Sequence, residues 1–551
     1  METPGFVELS RAQAHAGGSR RCQRSDTFRA SQVEGGKGAA SYNRSVKEDL
    51  ETLVGEQLVF GLAGPKLTDT DIKLFRETRA GGLILYRRNF ESPAQHTELL
   101  NDLESALGRR LLVTTDHEGG RIVMLGQGTT IFPDNLAVGT AGDEAFPYRQ
   151  GVFESRELRR LGVDVNFGPV LDVLTERYSP NIGIRSYGKD PAVVTRYGLA
   201  RIKGMQKGGI SACAKHFPGK GHSPLDAHLK LPTIDSTWAD MRSLHLPPFH
   251  AAIADGIDCV MTSHPVYPNL DPTRVPATFS RRLVHGLLRE EGGFKGVIIS
   301  DDLEMGAIGE TCPIGEAITR TAAAGHDLLL VCHTEPAQRA AASALLDAYR
   351  TGALPTRDLE ASVERIRRMR ARRSTRFEGG PPAVEPEALP LARAIATRAV
   401  TVVSQGRPEL RRALNGHVGV AFPRFSALAP RITIEPEVAA ETDYIAGAFK
   451  PAGITPETRV VGIEPTDAEI EAAASLAAAS DAFVLFLFDA HLYASNAKLL
   501  REVQSRARAL AVVLMRDPYD AAMLAPGVLG VTAYGFRKCQ LDAVIARLVQ
   551  G

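Results

Sequence analysis

Cysteine is scarce and scattered in this chain of 551 residues: Cys22, Cys213, Cys259, Cys312, Cys332 and Cys539 form no CxxC pair and no regular spacing. That argues against a zinc ribbon or a disulfide framework and makes a reducing cytoplasm the expected compartment. Long apolar runs are missing too. The stretches 58–64 and 327–331 are the kind available, far short of the roughly 20 residues that cross a bilayer, so no membrane association is expected. Charge of one sign is also absent. With 65 Lys and Arg against 64 Asp and Glu, the net charge is +1, which gives no global attraction to nucleic acid or an anionic surface. No secretory apolar segment opens the chain; residues 1–45, rich in Gly, Ser, Arg and Gln, read as a disordered tail. What remains is 44% apolar and 23% charged, a globular composition with length enough for more than one core.

From about residue 50, short β-rich runs alternate with helical periodicity. Candidate strands lie at 58–64, 82–87, 111–116, 163–169, 210–216, 257–264, 296–302 and 327–333, with helical stretches such as 68–79, 93–107, 191–207 and 336–350 between them. Eight buried strands separated by helices suggest a (β/α)8 barrel, although doubly wound sheets alternate in the same way. The strand endings favour the barrel. LLVTTD stops at Asp116, ACAKH at Lys215 and His216, VMTSH at His264, VIISDD at Asp301 and Asp302, and LLLVCH at His333. A barrel enzyme gathers its chemistry at these C-terminal ends. The expected organisation is a tail over 1–45, a TIM-like (β/α)8 barrel over 46–372, a Pro/Gly-rich linker over 373–391, and a smaller three-layer α/β domain over 392–551. In that last part strands are expected at 399–403, 418–422, 460–463, 483–488, 511–515 and 530–533, and no Gly-rich phosphate-binding fingerprint occurs.

The densest chemistry lies between Lys215 and Pro232, a loop-forming segment carrying His216, His222, Asp226 and His228. Two residues apart, Asp226 can touch one imidazole nitrogen of His228, fixing its tautomer and raising its basicity, which suits a proton shuttle near neutral pH. A solvated loop with incidental histidines is the plain alternative. A metal site from His216, His222 and His228 is a weaker one, since the spacing fits no helical ligand pattern. At the end of 296–302, alternation sends Asp301 and Asp302 in different directions, so one can face the barrel axis while the other caps a helix. Asp116, in DHEGGR, can accept hydrogen bonds from sugar hydroxyls, and Arg185 and Lys215 can donate them; structural salt bridges are the alternative for each.

Taken together, GGLILYRRNF, DHEGGR, VNFGPVLDV, IGIRSYGKDP, AKHFPGKGHSPLDAHLKLP, MTSHPVYP, GFKGVIISDDLEM and AGHDLLLVCH resemble, in order, glycoside hydrolase family 3 in its β-N-acetylhexosaminidase branch. The resemblance covers roughly 50–375 and extends more weakly into the tail. It implies that Asp301 is the nucleophile, His228 the acid/base with Asp226 as its partner, and that Asp116, Arg185, Lys215 and His216 hold the sugar. The implied protein is a retaining exo-β-N-acetylglucosaminidase that takes GlcNAc from glycosides or muropeptides in peptidoglycan recycling, with no metal and no cofactor. A phosphorylase or a non-catalytic sugar-binding homologue remain the alternatives. The sequence SDDLEM, with DxH inside the barrel, points away from the β-glucosidase branch. Two departures stand out: Lys220 replaces the usual His of KHFPGHGDT, and Met124 stands where bacterial members often carry a further arginine, with Arg121 retained.

Overall fold

The computed structural model describes residues 49–175, 179–223, 231–373 and 384–550. The tail read at 1–45, most of the segment read as a linker, and the pair Asp226 and His228 lie outside those residues. Eight parallel strands form the first sheet: β1 (Leu58–Gly61), β2 (Gly82–Leu85), β3 (Leu112–Thr115), β4 (Val165–Asn166), β5 (Ser211–Phe217), β6 (Cys259–Thr262), β7 (Val297–Ile299) and β8 (Leu329–Val331). Their order is β7-β6-β5-β4-β3-β2-β1-β8. The two outer strands meet: Asp327 N–H donates to Ile298 O at 2.8 Å and Ser300 N–H to Leu328 O at 3.0 Å, so the sheet curls into the expected barrel.

The strands are buried on both faces, which is why they read as continuous apolar runs rather than as alternation. Leu58, Phe60, Leu83, Leu85, Val113 and Ile298 pack outward against the helices. Val59, Ile84, Leu112, Cys213, Val297 and Ile299 fill the barrel interior, where Ile366 and Met369 of the helix Thr356–Arg373 join them. Helix boundaries follow local chemistry. Asp190 caps Pro191–Gly208 by accepting from Ala192 N–H, and Gly209, at φ +104°, ends it in the left-handed region.

The second sheet comprises β9 (Thr401–Ser404), β10 (Val418–Pro423), β11 (Glu457–Val461), β12 (Ala482–Leu487), β13 (Leu510–Leu514) and β14 (Leu529–Thr532). Its order is β11-β10-β12-β13-β14-β9, with only β9 antiparallel. Separate apolar clusters cover its two faces, giving three layers. β11 begins three residues before the 460–463 expected from sequence, because at the sheet edge it exposes the charged Glu457 and Arg459, which hide its periodicity. Among the described residues no helix is long and apolar enough to cross a membrane.

Barrel closure rests on Asp327. Its buried carboxylate accepts from Ile298 N–H (2.8 Å), Arg289 (2.7 Å), Ser362 (2.8 Å) and Arg365 (2.7 Å), tying β7, β8 and the last barrel helix together. Asp327→Ala leaves two arginines facing a void, and should destabilise the barrel by about 3–5 kcal/mol, read as a lower melting temperature; an unchanged melting temperature would refute this account of closure.

Candidate active site

Strand parity decides which side chains reach the barrel mouth. In β7, Val297 and Ile299 point inward and Ile298 outward; carried two residues further, the inward row ends at Asp301 and the outward row at Asp302. In β3 the inward row runs from Leu112 through Thr114 to Asp116, and in β5 from Cys213 to Lys215. Alternate strands thus deliver Asp116, Lys215 and Asp301 to one end of the barrel.

Around Lys215 the charges interlock. Its ammonium pairs with Asp116 and, at 2.6 Å, with Glu118. Glu118 in turn takes a two-point hydrogen bond from Arg185, Nε to Oε2 at 2.8 Å and Nη2 to Oε1 at 2.7 Å. Lys215, Arg185 and Glu118 are all buried. Burial alone would raise the Glu118 carboxyl, but the cations of Arg185 and Lys215 outweigh it and hold the group well below the usual carboxylate range. Asp116, 22% exposed at its side chain, is the rim of this cluster; burial lifts its carboxyl above the ordinary value despite Lys215.

His216 is fixed by a residue the sequence did not single out. Its Nδ1 lies 2.7 Å from Asp172 Oδ2, while Asp172 Oδ1 accepts from Lys220 N–H at 2.7 Å. Lys220 itself is 3% exposed, with Nζ 3.7 Å from Asp301 Oδ2. Burial lowers its ammonium and Asp301 opposes that shift. Asp302 takes the structural role open to the outward row. Its Oδ1 accepts from Cys332 N–H and Glu304 N–H, both at 3.2 Å, and its carbonyl oxygen meets His264 Nε2 at 2.9 Å.

Of the residues expected from sequence, the fold brings Asp116, Arg185, Lys215, His216 and Asp301 to this mouth. Asp226 and His228 are outside the described residues. The histidines of the metal alternative take separate partners: His216 is on Asp172, and His222 Nδ1 is 2.6 Å from Thr175 Oγ1. Among the described residues no group of three or more His, Cys, Asp or Glu is arranged to hold a metal ion. Sequence reasoning missed Glu118 and Asp172. Glu118 sits two residues beyond Asp116, a spacing that could have flagged it; Asp172, inside VNFGPVLDV, carries no such signal.

Residues 47–369 match the family model described as the glycosyl hydrolase family 3 N terminal domain. The beta-hexosaminidase of Thioalkalivibrio sulfidiphilus is 39% identical over 326 residues, which span 57% of this chain and 89% of the relative. A glycoside hydrolase family 3 beta-N-acetylglucosaminidase structure from Paenibacillus sp. str. FPU-7 aligns with a TM-score of 0.85 at 32% identity, covering 91% of this chain and 97% of that one. NagZ from Neisseria gonorrhoeae, solved with N-trifluoroacetyl-D-glucosamine, aligns with a TM-score of 0.52 at 32% identity over 62% of this chain and 96% of its own.

The depressed Glu118 carboxyl links the site to stability. As pH falls, the unfolded chain takes up this proton near the ordinary value of 4.5, before the folded chain does. The stability it contributes is therefore complete above that pH and is lost below it. The melting-temperature gap between wild type and Glu118→Gln should be widest at neutral pH and narrow as pH drops below about 4.5. A gap independent of pH would contradict the charge assignment.

Proposed function

The chain belongs to glycosyl hydrolase family 3 and is a glycoside hydrolase, and from that premise we propose that it removes terminal β-N-acetylglucosamine by a retaining, two-step displacement. The observation that carries this reading is the meeting of Asp301, at the inward end of β7, with the Asp116–Lys215–Glu118–Arg185 cluster at one mouth. In the first step an Asp301 carboxylate oxygen bonds to the anomeric carbon while the bond to the leaving oxygen breaks and His228 gives that oxygen a proton. In the second, His228 takes a proton from water, the water attacks the anomeric carbon, and Asp301 leaves as carboxylate. Asp226 orients the imidazole; the part played by this pair rests on its motif.

The neighbours supply binding and charge control. Asp116 accepts from sugar hydroxyls. Lys215 uses two of its donors on Asp116 and Glu118, which leaves one N–H for the sugar. Arg185 spends three N–H groups on Glu118 and the Asn181 carbonyl and keeps two of its five. His216 is held through Nδ1 by Asp172. Lys220, 3.7 Å from Asp301, favours the carboxylate before attack and again as it departs in the second step. The substrates in this reading are GlcNAc-terminated cell-wall fragments met in the cytoplasm.

Turnover of p-nitrophenyl β-N-acetylglucosaminide tests the reading. Asp301→Ala should lose at least ~10³-fold in kcat and His228→Ala roughly 10²–10⁴-fold, and proton NMR should show the β anomer of GlcNAc first. Initial release of the α anomer would overturn retention. GlcNAc 1-phosphate formed on adding phosphate would replace hydrolysis by phosphorolysis.

A further inference from the structure

Two turns carry three of the charged groups of the mouth: residues 116–121, with Asp116 and Glu118, and the short turn Gly183–Arg185. Both are gripped by side chains from the C-terminal domain. Beyond β13 the chain runs Met515-Arg516-Asp517. Asp517 is 2% exposed. Its carboxylate lies against Gly183, whose φ is +43°, and any Cβ added there would overlap Oδ1. The Ile184 backbone N–H, one residue before Arg185, lies near enough to the same carboxylate to oppose in small part the upward push that burial gives it. Arg516 stands behind it, paired with Asp489 at the end of β12 and with Nη2 3.8 Å from Asp517 Oδ2.

The other turn is held by Arg537, which is fully buried. Its Nε donates to Gly120 O at 2.5 Å and its Nη1 to Thr433 O at 2.5 Å, while Thr433 Oγ1 donates to Val123 O at 2.7 Å. These polar grips sit beside a dry seam. Phe132, Val138, Phe146 and Tyr187 of the barrel share one apolar cluster with Leu391, Ile395 and Cys539, so the two parts are packed rather than tethered.

We propose that Asp517 and Arg537 are positioning residues for the sugar site: they fix the backbones of the Gly183–Arg185 and 119–121 turns and, through them, the Arg185 guanidinium and the Glu118 carboxylate that lock Lys215. The proposal rests on the sugar-binding reading above. Its physical basis is the two-point Arg185–Glu118 contact, which tolerates little displacement: a shift of about 1 Å at a binding group can cost roughly 10²-fold. The C-terminal domain thereby acts on substrate affinity without touching substrate.

Kinetics of the full chain on p-nitrophenyl β-N-acetylglucosaminide test this, with calorimetric binding of GlcNAc and the melting temperature measured alongside. Asp517→Ala should raise KM and weaken GlcNAc binding roughly 10- to 100-fold with kcat changed much less. Asp517→Asn, which keeps volume and an acceptor oxygen for the Ile184 N–H, should restore most of the affinity. Asp517→Glu retains the charge but pushes the carboxylate one methylene toward Gly183; it should raise KM while keeping the fold if the alanine variant does not fold. Wild-type turnover with KM unchanged within about twofold in the folded variants, or a loss that follows melting temperature alone, overturns the inference and leaves the reaction assignment standing. A wild type that neither binds GlcNAc nor turns the substrate over overturns both.

Discussion

Glu118 sits between two buried cations, and neither Lys215 nor Arg185 could occupy its place without it. Removing one partner of a buried ion pair costs about 3–5 kcal/mol, because the other charge is left uncompensated away from water. Here one carboxylate serves two cations, and Asp116 at the rim completes a set of two negative and two positive charges. The four groups are held by one another, so a sugar entering the mouth meets groups fixed in direction rather than long side chains that must first be ordered. Asp172 repeats the device on a smaller scale, its carboxylate holding the His216 ring through one oxygen and accepting from the Lys220 backbone N–H through the other.

The rest of the architecture delivers and steadies those charges. The period of the β-strand takes three inward rows to Asp116, Lys215 and Asp301, and the same period sends Asp302 away to bind backbone groups at the end of β8. Asp327 closes the ring in which those rows lie. The C-terminal domain adds its own grip at the two turns carrying Glu118 and Arg185, whose backbones the barrel also holds, the Glu118 carbonyl through Arg201 and the Arg185 carbonyl through Asn135. Gly183 and Gly120 are glycines because at each an added Cβ would strike a carboxylate, that of Asp517 from the C-terminal domain in one case and that of Asp134 from the barrel in the other.

Much of this was legible in the sequence. Each of the eight barrel strands begins within two residues of its expected start and several end earlier than expected; the starts agree because parallel strands buried on both faces leave continuous apolar runs. The residues at their ends were visible as polar punctuation after those runs. Alternation alone left Asp301 and Asp302 undecided; the burial of Val297 and Ile299 inside the barrel decides between them. Glu118 offered only its spacing from Asp116 as a signal and Asp172 offered none, since their partners lie 67 and 44 positions away and pairing at that range leaves no local pattern. The grip of Asp517 and Arg537 was hidden for the same reason: Arg537 meets Gly120 across 417 positions. Lys220 was visible only as a departure from the family pattern, and its meaning came from the 3.7 Å that separates it from Asp301.

The central claim is that Asp301 becomes covalently attached to the sugar during turnover. Intact-protein mass spectrometry after incubation with a fluorinated N-acetylglucosaminyl donor that slows the second step, followed by peptide mapping, tests it most directly. The account predicts one added sugar per chain, on the peptide containing Asp301. Turnover with no adduct, or an adduct on another carboxylate, would contradict it.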